Sequence, residues 1–262
     1  MNDWNRKTLD LTGKRALVVG FGTPVGHSVA LGLTEAGADV AVASATLEGD
    51  EVMAAKRAAK TVAELGRKSF SQGWDVTLPT NVQVGMRQLV KEFGTPSILV
   101  YNAEAELWRP TPKVTDATFA QTQNVNASGA FYAARSFLKE LPEDAESARI
   151  IYVTSILAER GIGWNTAYAT AKAGVTGLVA GLSQEYGQRR VTVNAISTGW
   201  MDWTPGRGPE EIGQNRLLRF IPMRRFGTAD EIAPLALYLA SDASAYVNGQ
   251  VLHVDGGASQ HL

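Results

Sequence analysis

The chain has 262 residues, a net charge of -1, no cysteine and three histidines. This length suits one large α/β domain, and the missing thiols exclude disulfides, iron–sulfur clusters, thiolate zinc sites and cysteine nucleophiles. The balanced charge gives no field that would attract nucleic acid or an anionic membrane, and so few histidines predict no metal site.

Short apolar runs alternate with segments of helical periodicity along the chain. The predicted strands are 15–20, 38–43, 69–74, 97–101, 149–153, 191–196 and 251–254. The predicted helices are 25–36, 48–65, 81–93, 116–141, 166–188 and 229–240. This alternation predicts an α/β protein, a single-domain doubly wound Rossmann fold over residues 1–262, with a parallel seven-stranded sheet and helices on both faces.

Two stretches depart from this alternation of strands and helices. Residues 198–225 contain two tryptophans and three prolines, and we predict a mobile insert that forms a lid on the substrate side. Residues 16–34 carry no charged side chain, but glycine, proline and histidine interrupt them, so we predict two buried elements joined by a turn rather than a membrane span. The first ten residues show no apolar signal segment, and we expect a cytoplasmic protein by default.

Glycines concentrate where the first predicted strand meets the first helix. Gly20, Gly22 and Gly26 permit a tight turn, and the following helix N-terminus offers N–H donors to a pyrophosphate. A tight turn without a ligand is the alternative, because one glycine-rich turn is weak evidence. The second strand ends at Ser44, where NAD-binding versions of this fold carry an acid for the ribose diol. An uncharged residue there predicts a weak preference for NADP over NAD.

Three polar residues could carry the chemistry. Tyr168 and Lys172 are four positions apart in a predicted helix, so they share one face, and Ser155 follows the fifth strand. An ammonium about 4 Å from a phenolate gains about 4 kcal/mol at an effective dielectric near 20. We therefore expect Lys172 to lower the pKa of Tyr168 toward neutrality, where a general acid/base works best, and Ser155 to stabilise charge on the substrate oxygen. The alternative is that Tyr168 and Lys172 lie on an ordinary exposed helix and have no catalytic role.

With these residues in place, the chain resembles the short-chain dehydrogenase/reductases over nearly its whole length, and 3-oxoacyl-acyl-carrier-protein reductase-like members in particular. Four catalytic residues match in order and spacing: Asn126, Ser155, Tyr168 and Lys172. The other matching segments are the turn 20–26, the adenine-contact pair 75–76, the Asn-Asn-Ala-Gly position 101–104, the pair 198–199, and the C-terminal motifs 225–232 and 249–257.

The resemblance implies an NAD(P)-dependent oxidoreductase that moves a hydride between the nicotinamide and a ketone or secondary alcohol. Tyr168 would exchange the proton, Lys172 would bind the nicotinamide ribose, and Asn126 would hold a water that links Lys172 to solvent. It also implies a homotetramer, or a homodimer, paired through the helix of Tyr168 and the one before it. The implied cofactor-binding residues are Gly20, Gly22, Thr23, Val25, Gly26, Ser44, Asp75, Val76, Asn102, Ala103, Tyr168, Lys172, Gly199 and Met201.

Three residues depart from the family pattern, all on the cofactor side. Pro24 replaces the middle glycine of the turn, lacks an N–H and fixes φ. Glu104 replaces the last glycine of Asn-Asn-Ala-Gly, which we expect to put a carboxylate near the adenine pocket. Val19 removes the hydroxyl of the usual threonine. Weak or unusual cofactor binding is therefore one expectation.

Four tryptophans map near the catalytic end of the sheet, and they predict an aromatic pocket for a partly apolar substrate. These are Trp108, Trp164, Trp200 and Trp203, of which we expect at least one to pack a lid or an interface instead. Two other functions stay open at this point. A catalytically silent dinucleotide-binding or sensing protein is favoured by Pro24 and Glu104, and a lyase-like, dehalogenase-type relative is disfavoured by Lys172 and Gly26.

Overall fold

The computed structural model describes residues 6–204 and 214–260. Its sheet has seven strands in the order β3-β2-β1-β4-β5-β6-β7, and every neighbouring pair is parallel. The strands are β1 (Arg15–Val19), β2 (Asp39–Ala43), β3 (Ser69–Gln72), β4 (Ile98–Tyr101), β5 (Ala148–Ser155), β6 (Val191–Thr198) and β7 (Val251–Val254).

Nine α-helices connect or flank the strands in the described ranges. They are α1 (Pro24–Glu35), α2 (Gly49–Glu64), α3 (Pro79–Phe93), α4 (Asp116–Gln123), α5 (Gly129–Glu140), α6 (Leu157–Arg160), α7 (Thr166–Tyr186), α8 (Gln214–Arg219) and α9 (Ala233–Ala240). Short 3-10 turns lie at Arg6–Leu9, Thr111–Lys113, Gly187–Arg189, Ala229–Glu231, Asp242–Ser244 and Ala258–Gln260.

Two apolar cores cover the two faces of the sheet. The helices α1, α2 and α9 pack on one face, and α3, α5 and α7 pack on the other. The inner strands are mostly apolar because both of their faces are buried. The predicted doubly wound fold is confirmed.

The strand order reverses direction between β1 and β4, which are neighbours although they are not consecutive in the chain. In open α/β sheets, ligands bind in the crevice at the carboxyl ends of the strands at such a switch point. Residues that follow β1 and β4 therefore face the same crevice. This places the glycine-rich turn beside the Asn102–Glu104 segment.

The predicted helix 116–141 is interrupted in the structure. A π-helical turn, Asn124–Ser128, separates α4 from α5. The side-chain amide of Asn126 donates to the carbonyl oxygen of Thr122, 2.9 Å away and one turn earlier. Such insertions are often found at functional sites, and apolar periodicity alone did not reveal this one.

Pairing also lengthens two strands beyond their predicted ends. Ser155 and Thr198 lie opposite each other as the last residues of β5 and β6, so Ser155 belongs to a strand rather than to a loop. The stretch 16–34 forms β1, a turn and α1, as predicted. No helix within 6–204 or 214–260 combines the length and the apolar character that a bilayer crossing needs.

The predicted insert 198–225 is described in two parts. Residues 198–204 continue from β6 through an isolated bridge between Met201 and Gly227, and residues 214–219 form α8. Residues 205–213 lie outside the described residues, so a lid in this region stays a prediction.

Candidate active site

Backbone hydrogen bonds lock the glycine-rich turn onto the end of β4. The N–H of Asn102 donates to the carbonyl oxygen of Val19 at 2.7 Å. The side-chain amide of Asn102 donates to the oxygen of Gly20 and to Oγ1 of Thr23, both at 3.2 Å. Asn102 thus holds the turn in shape, and the backbone N–H groups at the start of α1 remain directed at the crevice.

Two glycines in this turn have no room for a side chain. Gly20 has φ of 98°, and a Cβ on it would overlap the backbone of Ala103. A Cβ on Gly26 would overlap the carbonyl oxygen of Gly20. Pro24 is the first residue of α1, a position where a missing N–H costs nothing and the fixed φ suits a helix. This departure from the family pattern is therefore accommodated locally.

We expect Gly26→Ala to lower the unfolding temperature by several degrees, because relieving the overlap with Gly20 costs about 1–3 kcal/mol. Thermal unfolding followed by circular dichroism measures this. Gly22→Ala is the matched control: its Cβ would meet nothing within 4 Å, and Gly22 does not need a left-handed backbone. Equal unfolding temperatures for the two variants would contradict the steric argument.

Tyr168 lies at the centre of the crevice, 3% exposed, on the first turn of α7. Its hydroxyl donates to Oε2 of Glu104 at 3.1 Å. Ser155 lies beside it at the end of β5, and its Oγ accepts from the N–H of Leu157 at 3.2 Å. The structure thus brings the predicted serine and tyrosine together at one edge of the sheet.

Lys172 is held one turn further along α7 and is 2% exposed. Its ammonium donates to the carbonyl oxygen of Val153 at 3.2 Å and lies 5.5 Å from the centroid of the Tyr168 ring. Burial lowers the pKa of Lys172, while the carboxylates of Glu104 and Glu106 oppose that shift. The lysine contacts the face of the ring and a strand carbonyl, not the phenol oxygen.

The expected lowering of the Tyr168 pKa is wrong for this structure. Burial raises the pKa of the phenol, the carboxylates of Glu104 and Glu106 raise it further, and the hydrogen bond with Ser155 only partly opposes them. A phenolate here would lose water and face two like charges. The helix spacing correctly placed Lys172, but it carried no information about the carboxylates that arrive from the segment after β4.

Asn126 is buried in the π-helical turn, 1% exposed. Its amide donates to the carbonyl oxygen of Ala105 at 2.9 Å, and its side-chain oxygen accepts from the N–H of Ala105 at 3.3 Å. These bonds fix the segment between Glu104 and Glu106. The Asn126 side chain thus clamps the backbone here, and its contact with a water stays a prediction.

The expected position of Glu104 is also wrong. We predicted a carboxylate near the adenine pocket, but the side chain turns toward Tyr168 and accepts its hydrogen bond. The reason is that β4 ends beside β5, so the segment after β4 lies directly across from Ser155 and α7.

Comparison with known proteins agrees with this geometry. The profile of a family described as Enoyl-(Acyl carrier protein) reductase matches residues 22–259. The 3-oxoacyl-[acyl-carrier-protein] reductase of Pseudomonas aeruginosa is 32% identical over 249 residues, which cover 95% of this chain and 98% of that protein. This chain belongs to the short-chain dehydrogenase/reductase family. The resemblance inferred from the sequence is confirmed, and so is the prediction of an NAD(P)-dependent oxidoreductase.

Two solved structures of similar proteins support the assignment. A short-chain type dehydrogenase/reductase from Mycobacterium marinum has a TM-score of 0.85 and 30% identity, with 96% of this chain and 97% of that chain covered. A gluconate 5-dehydrogenase from Burkholderia cenocepacia, in complex with NADP and tartrate, has a TM-score of 0.86 and 25% identity, with 98% and 99% covered.

In this short-chain dehydrogenase/reductase, three of the four predicted tryptophans lie near Tyr168. The rings of Trp108 and Trp200 stack, with centroids 6.4 Å apart and an interplanar angle of 25°, and Trp203 lines the same cleft. Trp164 does not join them: it is 38% exposed and has φ of 69°. Its carbonyl accepts from the N–H of Arg109, so Trp164 fixes a surface turn instead.

Six of the fourteen predicted cofactor residues line the cleft, and two of the others, Ser44 and Val76, are fully buried. Ser44 is fully buried, and its hydroxyl donates to the carbonyl oxygen of Thr46 at 2.7 Å. Val76 is also fully buried, and its N–H donates to Ala45. Asp75 accepts from Thr77 within a turn. The predicted cofactor residues that line the cleft are Thr23, Val25, Asn102, Tyr168, Gly199 and Met201.

The sequence reasoning missed Glu51 and Glu106 and misplaced Glu104. Glu104 and Glu106 line the cleft beside Tyr168, and Glu51 reaches from α2 to the glycine-rich turn. Only Glu104 carried a signal, as a departure from the family glycine. The cleft holds only about 30 Å³, because the Glu104 side chain occupies the space in front of the phenol. No three His, Cys, Asp or Glu side chains in the described ranges cluster as a metal site requires.

Proposed function

We propose that the chain is an NAD(P)-dependent dehydrogenase/reductase in which Tyr168 is the general acid/base for a ketone or secondary alcohol. The observation that carries this proposal is the convergence of Ser155, Tyr168 and Lys172 beside the glycine-rich turn, from a strand end and one helix. A catalytic set assembled beside a phosphate cradle suits hydride transfer to or from a dinucleotide.

The residues present fit a nicotinamide dinucleotide. Gly20 and Gly26 let the turn pack tightly, because a Cβ on either would overlap backbone atoms, and the start of α1 offers N–H donors to the pyrophosphate. Tyr168 and Lys172 would hold the nicotinamide ribose, and Gly199 and Met201 would border the ring. The bound nicotinamide supplies the hydride acceptor or donor. We expect NADP or NAD to serve, as the relative from B. cenocepacia was solved with NADP.

Tyr168 and Ser155 would hold the substrate oxygen between their hydroxyls. Because burial and two carboxylates raise the pKa of Tyr168, the phenol is protonated at neutral pH. It can therefore give its proton to the oxygen of a ketone as hydride arrives at the carbon, which favours the reducing direction. Lys172 would balance the charge left on the phenol oxygen.

Aromatic side chains would form the substrate side of the cleft. Trp200 and Trp203 line it, and Trp108 packs behind Trp200. These features support a partly apolar carbonyl compound as substrate.

We also propose a homotetramer, with a homodimer as the alternative, by analogy with the family. Phe119 on α4 and Phe131 on α5 are 41% and 40% exposed, and Gly177 and Gly181 on α7 have open space beside them. Apolar and small residues on neighbouring helices suit a helix-to-helix interface. Analytical ultracentrifugation would count the chains. A cytoplasmic location stays a prediction.

A nucleotide titration followed by a carbonyl and alcohol panel tests the proposed function. Tryptophan fluorescence reports binding of NADH and NADPH, and nicotinamide absorbance reports turnover of aliphatic ketones, aromatic ketones, 3-oxoacyl thioesters and keto sugar acids. Turnover with any of them supports the proposal. Tight binding without turnover across the panel would favour a silent binding protein, and halide release from a halohydrin would favour the dehalogenase-type alternative.

A further inference from the structure

The carboxylate of Glu51 occupies a small polar niche between two turns. Its Oε1 accepts from the N–H groups of Phe21 and Ala45, at 2.8 and 2.9 Å. Its Oε2 accepts from the N–H and the hydroxyl of Thr46, at 3.1 and 2.8 Å. Four donors from two different turns therefore converge on one side chain that starts on α2.

The niche lies at the carboxyl ends of β1 and β2. These strands pair in register, with Val19 opposite Ala43, so Phe21 and Ala45 follow neighbouring strand ends. In a doubly wound fold the adenosine ribose of a dinucleotide lies at this place, beside the glycine-rich turn. Ser44, the residue at the strand end itself, is buried beneath it. Glu51 supplies the acid that the strand end lacks.

We infer that Glu51 makes this chain discriminate against the 2′-phosphate of NADP(H) and in favour of the free ribose diol of NAD(H). This inference rests on the proposed function. A 2′-hydroxyl can donate to the carboxylate, whereas a phosphate group carries about -1.5 to -2 charges at neutral pH and would face a like charge. The backbone N–H groups that could bind that phosphate already donate to Glu51.

Compensating cations are absent from the contacts of Glu51. Within 6–204 and 214–260, no salt bridge includes it, and all four of its hydrogen-bond donors are uncharged. These donors are dipoles and bring no positive charge that would attract an incoming phosphate. Like-charge contact at a binding interface costs several kcal/mol, so the discrimination is expected in the dissociation constants themselves.

A purely structural role for Glu51 makes a different prediction. If the carboxylate only ties the two turns together, its loss weakens NADH and NADPH binding by the same factor and leaves their ratio unchanged. The weak NADP preference expected from Ser44 predicts the reverse order of affinities. The ratio of the two dissociation constants therefore distinguishes a specificity role of Glu51 from a structural one. A loss of affinity that both nucleotides share leaves this ratio unchanged.

The experiment measures dissociation constants for NADH and NADPH by quenching of tryptophan fluorescence. We expect the wild type to bind NADH about tenfold or more tighter than NADPH, and Glu51→Gln to bring the two constants within about threefold. Asp50→Asn is the matched control, since Asp50 is an exposed acid in the same first turn of α2, and it should keep the wild-type ratio. Glu51→Asp, which retains the charge, should keep NADH the tighter ligand.

Equal or tighter NADPH binding by the wild type would overturn the inference, and this measurement does not depend on the variants folding. An unchanged ratio in Glu51→Gln would overturn it too and leave Glu51 as a structural clamp. Failure of the wild type to bind either nucleotide would instead contradict the proposed function, and the inference with it.

Discussion

Replacing Tyr168 by phenylalanine should remove nearly all turnover, by about 10²–10⁴-fold in kcat, while the dissociation constant of the nucleotide changes little. The variant deletes one oxygen from a side chain that is 3% exposed, so the packing of α7 against the sheet is kept. It also deletes the only group that the proposed mechanism uses to move a proton. Steady-state kinetics on an accepted ketone, with a fluorescence titration of the nucleotide, measures both effects.

Tyr152→Phe is the matched control for this experiment. Tyr152 is fully buried in β5, and its hydroxyl has no hydrogen-bond partner among the described residues. Removing a buried, unsatisfied hydroxyl is neutral or stabilising, so this variant should retain wild-type turnover. If Tyr168→Phe retained activity as well, Tyr168 would not be the acid/base and the proposed mechanism would fail.

Replacing Glu104 by glutamine should shift the pH profile of alcohol oxidation to lower pH. Burial and the carboxylates of Glu104 and Glu106 raise the pKa of Tyr168, so removing one carboxylate lowers it. Oxidation needs the phenolate, which accepts the alcohol proton, and its rate therefore rises as the pH passes through that pKa. At neutral pH we expect a gain of about fivefold or more in kcat/KM, since like charges a few ångströms apart interact by about 1–4 kcal/mol.

The pH profile of kcat/KM for an accepted alcohol checks this shift. Glu48→Gln, which removes an exposed carboxylate at the start of α2, is the control and should leave the profile in place. Glu104→Gly, which restores the family residue, should also tighten nucleotide binding, because it empties the space in front of Tyr168. A profile that stays fixed in Glu104→Gln would mean that the carboxylate leaves Tyr168 once the cofactor binds.

Two carboxylates contact opposite ends of the crevice. Glu104 accepts a hydrogen bond from the Tyr168 hydroxyl, and Glu51 accepts hydrogen bonds from the glycine-rich turn and from the residues after β2. One lies at the expected nicotinamide end of the crevice and the other at the expected adenosine end. Their proposed roles concern the direction of proton transfer and the choice of dinucleotide.

The sequence alone predicted the fold class and most of the strands and helices, and its family resemblance proposed the catalytic set. Local patterns suffice for these features: apolar runs predict buried strands, 3.6-residue spacing predicts helices, and the interval between Tyr168 and Lys172 places both on one face. Glycines between β1 and α1 also predict the tight turn. A Cβ on Gly26 would overlap the nearby Gly20, whereas a Cβ on Gly20 would overlap Ala103, which follows β4 and comes close only in the folded chain.

Only the tertiary structure decided what surrounds those residues. Glu104 is 64 positions from Tyr168, and Glu51 is 30 positions from Phe21, so no local pattern reports either contact. From the sequence, only the charge of Lys172 could be considered, and it predicted a lowered pKa for Tyr168. In the folded chain the phenol is buried and two carboxylates lie beside it, so its pKa is raised. Desolvation and long-range charge arise only when strand order brings distant segments together, and they set the electrostatics of this site.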